Sequence, residues 1–171
     1  MKKVYVSWKD VEQQVQDISR QMWIDNWHPD YVVGITRGGL VPGNLLSQYL
    51  DCPMHTLKVS LRDGDDTESN LWMAEDAANP VIESRKNILI VDDINDSGAT
   101  LNWIMHDWAS SCTAYSDDWK EVWGVNVRFA VLYDNEASKA NQAVSYSAIT
   151  VNKHEDPQWI VFPWEEFWKN H

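Results

Sequence analysis

Over Asp92–Thr100 the chain places three aspartates, two hydroxyls and a glycine in the run Asp92-Asp93-Ile94-Asn95-Asp96-Ser97-Gly98-Ala99-Thr100. These residue types, in this order, suit phosphate chemistry. Ser97, Gly98, Ala99 and Thr100 open a predicted helix, so their N–H groups can converge on one anion with the helix dipole behind them. The two hydroxyls suit a phosphate monoester, and Gly98 permits its close approach. Asp92 and Asp93, at the end of a predicted strand, offer acceptors for sugar hydroxyls and a hard site for a divalent cation. Asp96 lies between these acids and the anion cradle. One ligand carrying a phosphate, a vicinal diol and a metal-bound diphosphate would satisfy the whole set.

A second candidate loop, Thr36-Arg37-Gly38-Gly39, also lies between a predicted strand and a predicted helix. Paired aspartates before Ser or Thr occur in other metal-dependent phosphate-handling folds, and Gly38-Gly39 alone could be only a tight turn. Both loops in this order favour function over structure.

The elements that must position these loops follow from periodicity. Ser7 and Asp10 have the spacing of a capping box, and Val11, Val15, Ile18 and Met22 recur at helical spacing, predicting a helix over Trp8–Ile24. Tyr31–Thr36, His55–Leu61, Asn87–Asp92, Asn126–Tyr133 and Ala143–Val151 are predicted strands. Helices are predicted from Leu40 to Leu50 and from Gly98 to about Ala109. From Arg62 to Pro80 the chain is polar and acidic without a clear period, which predicts a long functional or disordered loop. Alternating strands and helices predict an α/β fold, a parallel sheet covered by helices with ligands at the strands' carboxyl ends. No repeat or linker divides the 171 residues, so one domain is expected.

With 14 Lys and Arg against 26 Asp and Glu, the formal charge is −12. Such a surface repels nucleic-acid backbones, yet a few local donors and a cation can still hold a small phosphorylated substrate. Cys52 and Cys112 have neither zinc spacing nor a disulfide framework, so free thiols are expected. The start, Met1-Lys2-Lys3-Val4-Tyr5, lacks the apolar core of a signal peptide, and no membrane span is visible. A soluble cytoplasmic protein is expected. His28, His55, His106, His154 and His171 lack ligand spacing. The 11 tryptophans, Trp103, Trp119, Trp123 and Trp168 among them, are expected in cores or subunit interfaces, favouring a homo-oligomer of unspecified order.

Ile88–Thr100 resembles the phosphoribosyl-diphosphate motif of the type I phosphoribosyltransferases. Thr36-Arg37-Gly38-Gly39-Leu40-Val41-Pro42-Gly43 is similar to the diphosphate loop of the bacterial xanthine–guanine branch of that family. So are the start, Tyr5-Val6-Ser7-Trp8, and the tail, Trp159-Ile160-Val161-Phe162-Pro163-Trp164-Glu165. The likeness spans nearly the whole chain and is weakest over Arg62–Pro80 and Cys112–Gly124, the latter looking like an insertion. It implies a three-layer fold with a mainly parallel sheet and a small hood built from the N-terminus and residues 154–171.

The resemblance also implies residue roles. Asp92 and Asp93 would hold the ribose hydroxyls, with Asp93 close to magnesium. Asp96 would face N7 of a purine, and Asp96–Thr100 would cradle the 5′-phosphate. Arg37 and Gly38 would bind diphosphate, in this family often across a non-proline cis bond. Trp159 would stack on the base, with the Ile160 backbone reading its edge. The implied reaction is phosphoribosyl transfer from phosphoribosyl diphosphate to a nucleobase, a 6-oxopurine first, with a closing loop over residues 62–80.

Three departures bear on this. Asn135 stands where relatives carry a lysine that donates to the purine 6-oxygen, so base recognition is altered, with Lys139 or Lys153 as substitutes. Asn95 is polar where the motif is apolar. The mobile loop lacks basic residues except Arg62 at its start. A regulator that keeps the pocket without turnover, and a transferase with a different acceptor base, are the competing readings.

Overall fold

Ser7 caps the first helix as its sequence predicts. The Asp10 N–H donates to Ser7 Oγ at 3.0 Å and the Ser7 N–H donates to Asp10 Oδ2 at 2.9 Å. Such reciprocal capping contributes about 1 kcal/mol. The computed structural model describes residues 1–59, 61, 70–112 and 118–169. Arg62, most of the acidic run after it, the middle of the expected insertion and His171 lie outside the described residues.

In chain order the elements are β1 (Lys2–Tyr5), α1 (Trp8–Ile24), β2 (Tyr31–Thr36), α2 (Leu40–Leu50), β3 (Met54–Lys58), α3 (Leu71–Ala77), β4 (Ile88–Asn95), α4 (Ala99–Ser111), β5 (Val127–Asn135), β6 (Tyr146–Val151) and β7 (Gln158–Val161). The strands β3-β2-β4-β5-β6 form one sheet in that order, and all its pairings are parallel. Neighbouring residues along each central strand point to opposite layers. Val32, Leu89, Val91, Ala130 and Leu132 pack with Val11, Val15, Ile18 and Met22 of α1 and Leu46 of α2. Val33, Ile35, Ile88, Ile90 and Phe129 pack with Met73, Ala74 and Ala77 of α3 and Leu101, Ile104 and Trp108 of α4. Both faces are therefore covered, which explains why these strands read as unbroken apolar runs. Each fully buried aliphatic side chain contributes roughly 1.5–3 kcal/mol, so the two apolar layers dominate the stability.

One feature departs from the expectation. α3 lies inside the segment read as a loop; its short turn buries Met73, Ala74 and Ala77, and the Tyr31 hydroxyl donates to Asp76 Oδ2 at 2.8 Å. Seven residues are too few to display a helical period. The hood is a separate parallel pair, β1 with β7, in which Val4 faces Ile160 and Lys3 faces Trp159. It joins the rest through Val6, Ile160 and Phe162 in the α1 layer and through Trp164, which stacks on Phe162 at 4.9 Å and meets Trp8 at 6.0 Å.

Most tryptophans do serve structure. Trp123 stacks on Trp119 and Phe129 behind the sheet, and Trp108 is fully buried beside it. Trp168 is exposed. Cys112 is buried, Cys52 half-buried, and both are free thiols. Among the described residues no helix is long and apolar enough to cross a membrane.

Candidate active site

The chain leaves β2 for β3 on one side and returns in β4 on the other. A crevice must open where this order reverses, at the carboxyl ends of β2 and β4. Both glycine loops lie there. Gly34 of β2 is level with Val91 of β4, and the backbone after β2 passes so close that a Cβ on Gly39 would stand 2.2 Å from the Val91 carbonyl. One residue earlier, a Cβ on Gly38 would stand 2.3 Å from Asp93 Oδ2. Only glycine lets the first loop lie against the second strand's acid. The Thr36–Arg37 bond is cis, as the resemblance implied, and Arg37 is exposed.

The two adjacent acids are turned back onto their own chain. The Asp93 N–H donates to Asp92 Oδ1 at 2.9 Å and the Ile94 N–H donates to Asp93 Oδ1 at 2.7 Å. Burial, followed by the Asp93 charge, holds Asp92 well above the usual carboxylate range, and burial raises Asp93 as well. Among the described residues no cationic side chain forms an ion pair with either. An uncompensated acid pair of this kind fits a cation and sugar hydroxyls. The described residues contain no group of three or more His, Cys, Asp and Glu able to cage an ion. This fits magnesium, which usually binds through one or two carboxylates plus substrate phosphates.

Beyond Asp96 the chain turns into α4 through Gly98, whose φ of 90° is left-handed. No side chain caps α4 from Gly98, and only Ala99 among its first amides meets a nearby hydroxyl, Ser97 Oγ at 3.2 Å. The remaining donors at the helix start are the kind that hold anions. Residues 92–101 line a cavity of about 210 Å³ there. The connection after β5 straps this turn in place. Lys139 N–H donates to Ser97 O at 2.9 Å, Asn102 Nδ2 donates to Lys139 O at 3.0 Å, and Asn141 N–H donates to Asn102 Oδ1 at 2.7 Å.

Asn95, the polar departure from the motif, belongs to the same scaffold. Its amide donates to Asp134 Oδ1 at 2.9 Å and its oxygen accepts from Ser138 Oγ at 3.2 Å. Asn135 is buried, and its amide donates to the Asp96 carbonyl at 3.0 Å and to Asp96 Oδ1 at 3.3 Å. Its oxygen accepts from the N–H groups of Ala137 and Lys153.

Two further cavities flank Asp93. One, about 630 Å³, is lined by Arg37, Gly38, Asp93, Trp164, Glu165, Glu166 and Trp168. The other, about 190 Å³, brings together Asp93, Ile94, Asp96, Lys153, Trp159, Ile160, Phe162 and Glu165. Trp159 is 53% exposed, leaving ring surface free for stacking, whereas the Ile160 side chain is buried. Asp93 thus shares one cavity with Arg37 and Gly38, a second with Asp96, Trp159 and Ile160, and a third with Ser97–Thr100. Glu165, which had no role in the sequence reading, faces both cavities. Burial and, to a lesser degree, Asp93 and Glu166 raise it, while the Phe162 N–H donating to it at 3.3 Å opposes them. Nothing in its local sequence distinguishes it from a surface acid. A cavity of about 530 Å³ between the ends of α1 and α2, bordered by Trp23, Trp27 and Tyr49, shares no residue with this site.

Comparison with known proteins identifies the family. A xanthine-guanine phosphoribosyltransferase of Cereibacter sphaeroides is 29% identical over 168 residues, covering 94% of this chain and 86% of that protein. Xanthine phosphoribosyltransferase 1 of Saccharomyces cerevisiae is 23% identical over a shorter match, 61% of this chain and 59% of that protein. The crystal structure of a purine phosphoribosyltransferase from Pyrococcus horikoshii Ot3 superposes with a TM-score of 0.65 at 26% identity, over 98% of this chain and 97% of that one. The family model of the phosphoribosyl transferase domain matches residues 3–171, and the chain belongs to that family.

Proposed function

We propose that the protein transfers the 5-phosphoribosyl group from phosphoribosyl diphosphate to a 6-oxopurine, giving a nucleoside monophosphate and diphosphate. The observation that carries this is the meeting of the two glycine loops at Asp93, which lines both a cavity with Arg37 and Gly38 and a smaller one with Asp96, Trp159 and Ile160. The curated relatives, named for xanthine, guanine or hypoxanthine, support the acceptor class.

In this reading Arg37 and the Gly38 backbone hold the diphosphate, and Asp92 and Asp93 hold the ribose hydroxyls. Asp96, Ser97, Gly98, Ala99 and Thr100 take the 5′-phosphate, and Trp159 stacks on the base beside the Ile160 backbone. Asp93 would hold magnesium together with the diphosphate, and the ion would supply positive charge to the leaving group. As the bond from C1 of the ribose to diphosphate breaks, positive charge grows on the sugar and negative charge on the diphosphate. Arg37 and the loop amides stabilise the second of these. The base nitrogen attacks C1, and Asp96 accepts the proton released from the purine. The whole chain acts as one catalytic unit, cytoplasmic and homo-oligomeric.

A product assay with phosphoribosyl diphosphate, Mg²⁺ and a panel of guanine, xanthine, hypoxanthine, adenine, orotate and uracil tests this. Nucleotide from the first three is the expected result. Nucleotide from adenine or a pyrimidine alone would reassign the acceptor, and none from any base would leave a binding protein without turnover.

A further inference from the structure

A purine presents two neighbouring groups on one edge. A 6-oxopurine shows two acceptors there, N7 and the 6-oxygen, whereas a 6-aminopurine shows one acceptor and one donor. A site that separates the two needs a donor without acceptor character at the second position. An ammonium meets that requirement.

Asn135 cannot supply it, because its amide is spent on Asp96 and its oxygen on two backbone N–H groups. Lys139 is exposed, lines neither cavity at Asp93, and contributes its backbone to the strap over Ser97. Among the described residues Lys153 is the one cation lining the cavity with Trp159 and Phe162. It leaves the end of β6 just after Asn152, whose side-chain oxygen accepts from the N–H groups of His154 and Glu155 and so turns the chain sharply there. Its own N–H is fixed by Asn135 Oδ1 at 3.0 Å, and its Nζ lies 3.0 Å from Asp96 Oδ2. The lysine side chain is 16% exposed. Held at both ends, it cannot swing far, and Asp96 is its ammonium's single hydrogen-bond partner among the described residues. An ammonium has three donors, so two remain for a ligand.

Given the purine transfer proposed above, we infer that Lys153, from the β6–β7 connection, is the specificity-determining residue that reads the base's 6-oxygen while its partner Asp96 faces N7. Asn135 then acts as a positioning residue, tying the Lys153 backbone to the Asp96 loop. Asp96 matches N7 while the base still carries its proton there, and the Lys153 ammonium matches the 6-oxygen in base and nucleotide alike. An exocyclic amino group set against Lys153 would place donor against donor.

Product binding reads this contact, because GMP and AMP share the ribose phosphate and differ at position 6, and comparing each variant with wild type cancels their further difference at position 2. Titration calorimetry of both nucleotides against wild type, Lys153→Met and Lys153→Arg provides the test. Wild type is expected to prefer GMP; Lys153→Met should lose about 10- to 100-fold in GMP affinity, the span of one charged hydrogen bond. AMP affinity should stay the same or improve, and Lys153→Arg should recover part of the preference for GMP. Equal losses of GMP and AMP in Lys153→Met would mean a purely structural lysine and overturn the inference. So would a wild type that binds both nucleotides alike, which leaves the phosphoribosyl site intact. A wild type that binds neither would overturn the functional reading itself.

Discussion

Replacing Gly38 with alanine should separate activity from stability, because the atoms nearest the added methyl all belong to one functional group. The new Cβ would stand 2.3 Å from Asp93 Oδ2, 2.5 Å from its Cγ and 2.7 Å from Oδ1. Ordinary van der Waals contact begins near 3.4 Å, so the carboxylate must retreat by about 1.1 Å. The main chain at Gly38 is not in the left-handed region, so alanine adds no backbone strain there. The retreat breaks the bond from the Ile94 N–H to Asp93 Oδ1, now 2.7 Å. One hydrogen bond to a charged group is worth about 1.5–3 kcal/mol. For a chain of this size that is a fall in Tm of roughly 3–12 °C. The functional loss should be larger, since a displacement of about 1 Å in a group that orients substrate can cost on the order of 10²-fold in rate. Initial-rate measurements with varied phosphoribosyl diphosphate, beside a thermal melt, read both quantities. A Gly38→Ala variant with kcat/KM within threefold of wild type would refute the view that the first loop and Asp93 share one ligand.

Asp96→Asn should lower kcat by about 10²-fold or more, the scale of a lost acid–base group; near-normal turnover in a steady-state assay would remove the role given to Asp96. Asp92→Asn should raise Tm at pH 7–8 while abolishing turnover. Burial and the Asp93 charge raise Asp92 in the folded protein, so over the interval between its unfolded and folded values the native state holds more protons. Stability from this group therefore falls as pH rises through that interval, and the variant should gain about 2–4 °C for each kcal/mol relieved. A Tm difference that does not grow from pH 4 to pH 8 would contradict it. Gly98→Ala combines a φ of 90° with a Cβ 2.3 Å from Ala140 N, so backbone must move. A loss of about 2–4 kcal/mol in a denaturant melt and weaker binding of phosphoribosyl diphosphate are expected, and an unchanged melt would contradict the strap described over Ser97.

The two loops and the elements that carry them were legible in the sequence because their instructions are local. A helix that begins at Ser97-Gly98, an acid pair at a strand end and a glycine pair after another strand each act within a few residues. The boundaries of α1 follow from the same kind of local signal, the Ser7–Asp10 box and the period of Val11, Val15, Ile18 and Met22. What remained hidden depends on partners distant in sequence. Asn95 reads as a lapse in the motif until Asp134 and Ser138 are seen beside it. Asn135 reads as a weakened base contact until its amide is found on Asp96 and its oxygen on the Lys153 N–H. β1 and β7, four residues each, are too short to show alternation, and their pairing spans almost the whole chain.

That last pairing sets an order of assembly. β1 and β7 close a loop of over 150 residues, the longest-range ladder in the chain, and contacts of such separation cost the most chain entropy to make. A two-stranded ribbon has little stability of its own and depends on the layer beneath it. The phosphate turn and the acid pair are built on central strands, so they can form while the hood is still open. The aromatic wall at Trp159 becomes complete only when the ribbon docks. In the proposed function, recognition of the sugar donor and of the acceptor base therefore rest on parts of unequal permanence. A local opening of the hood could release the base while the sugar-phosphate site keeps its shape.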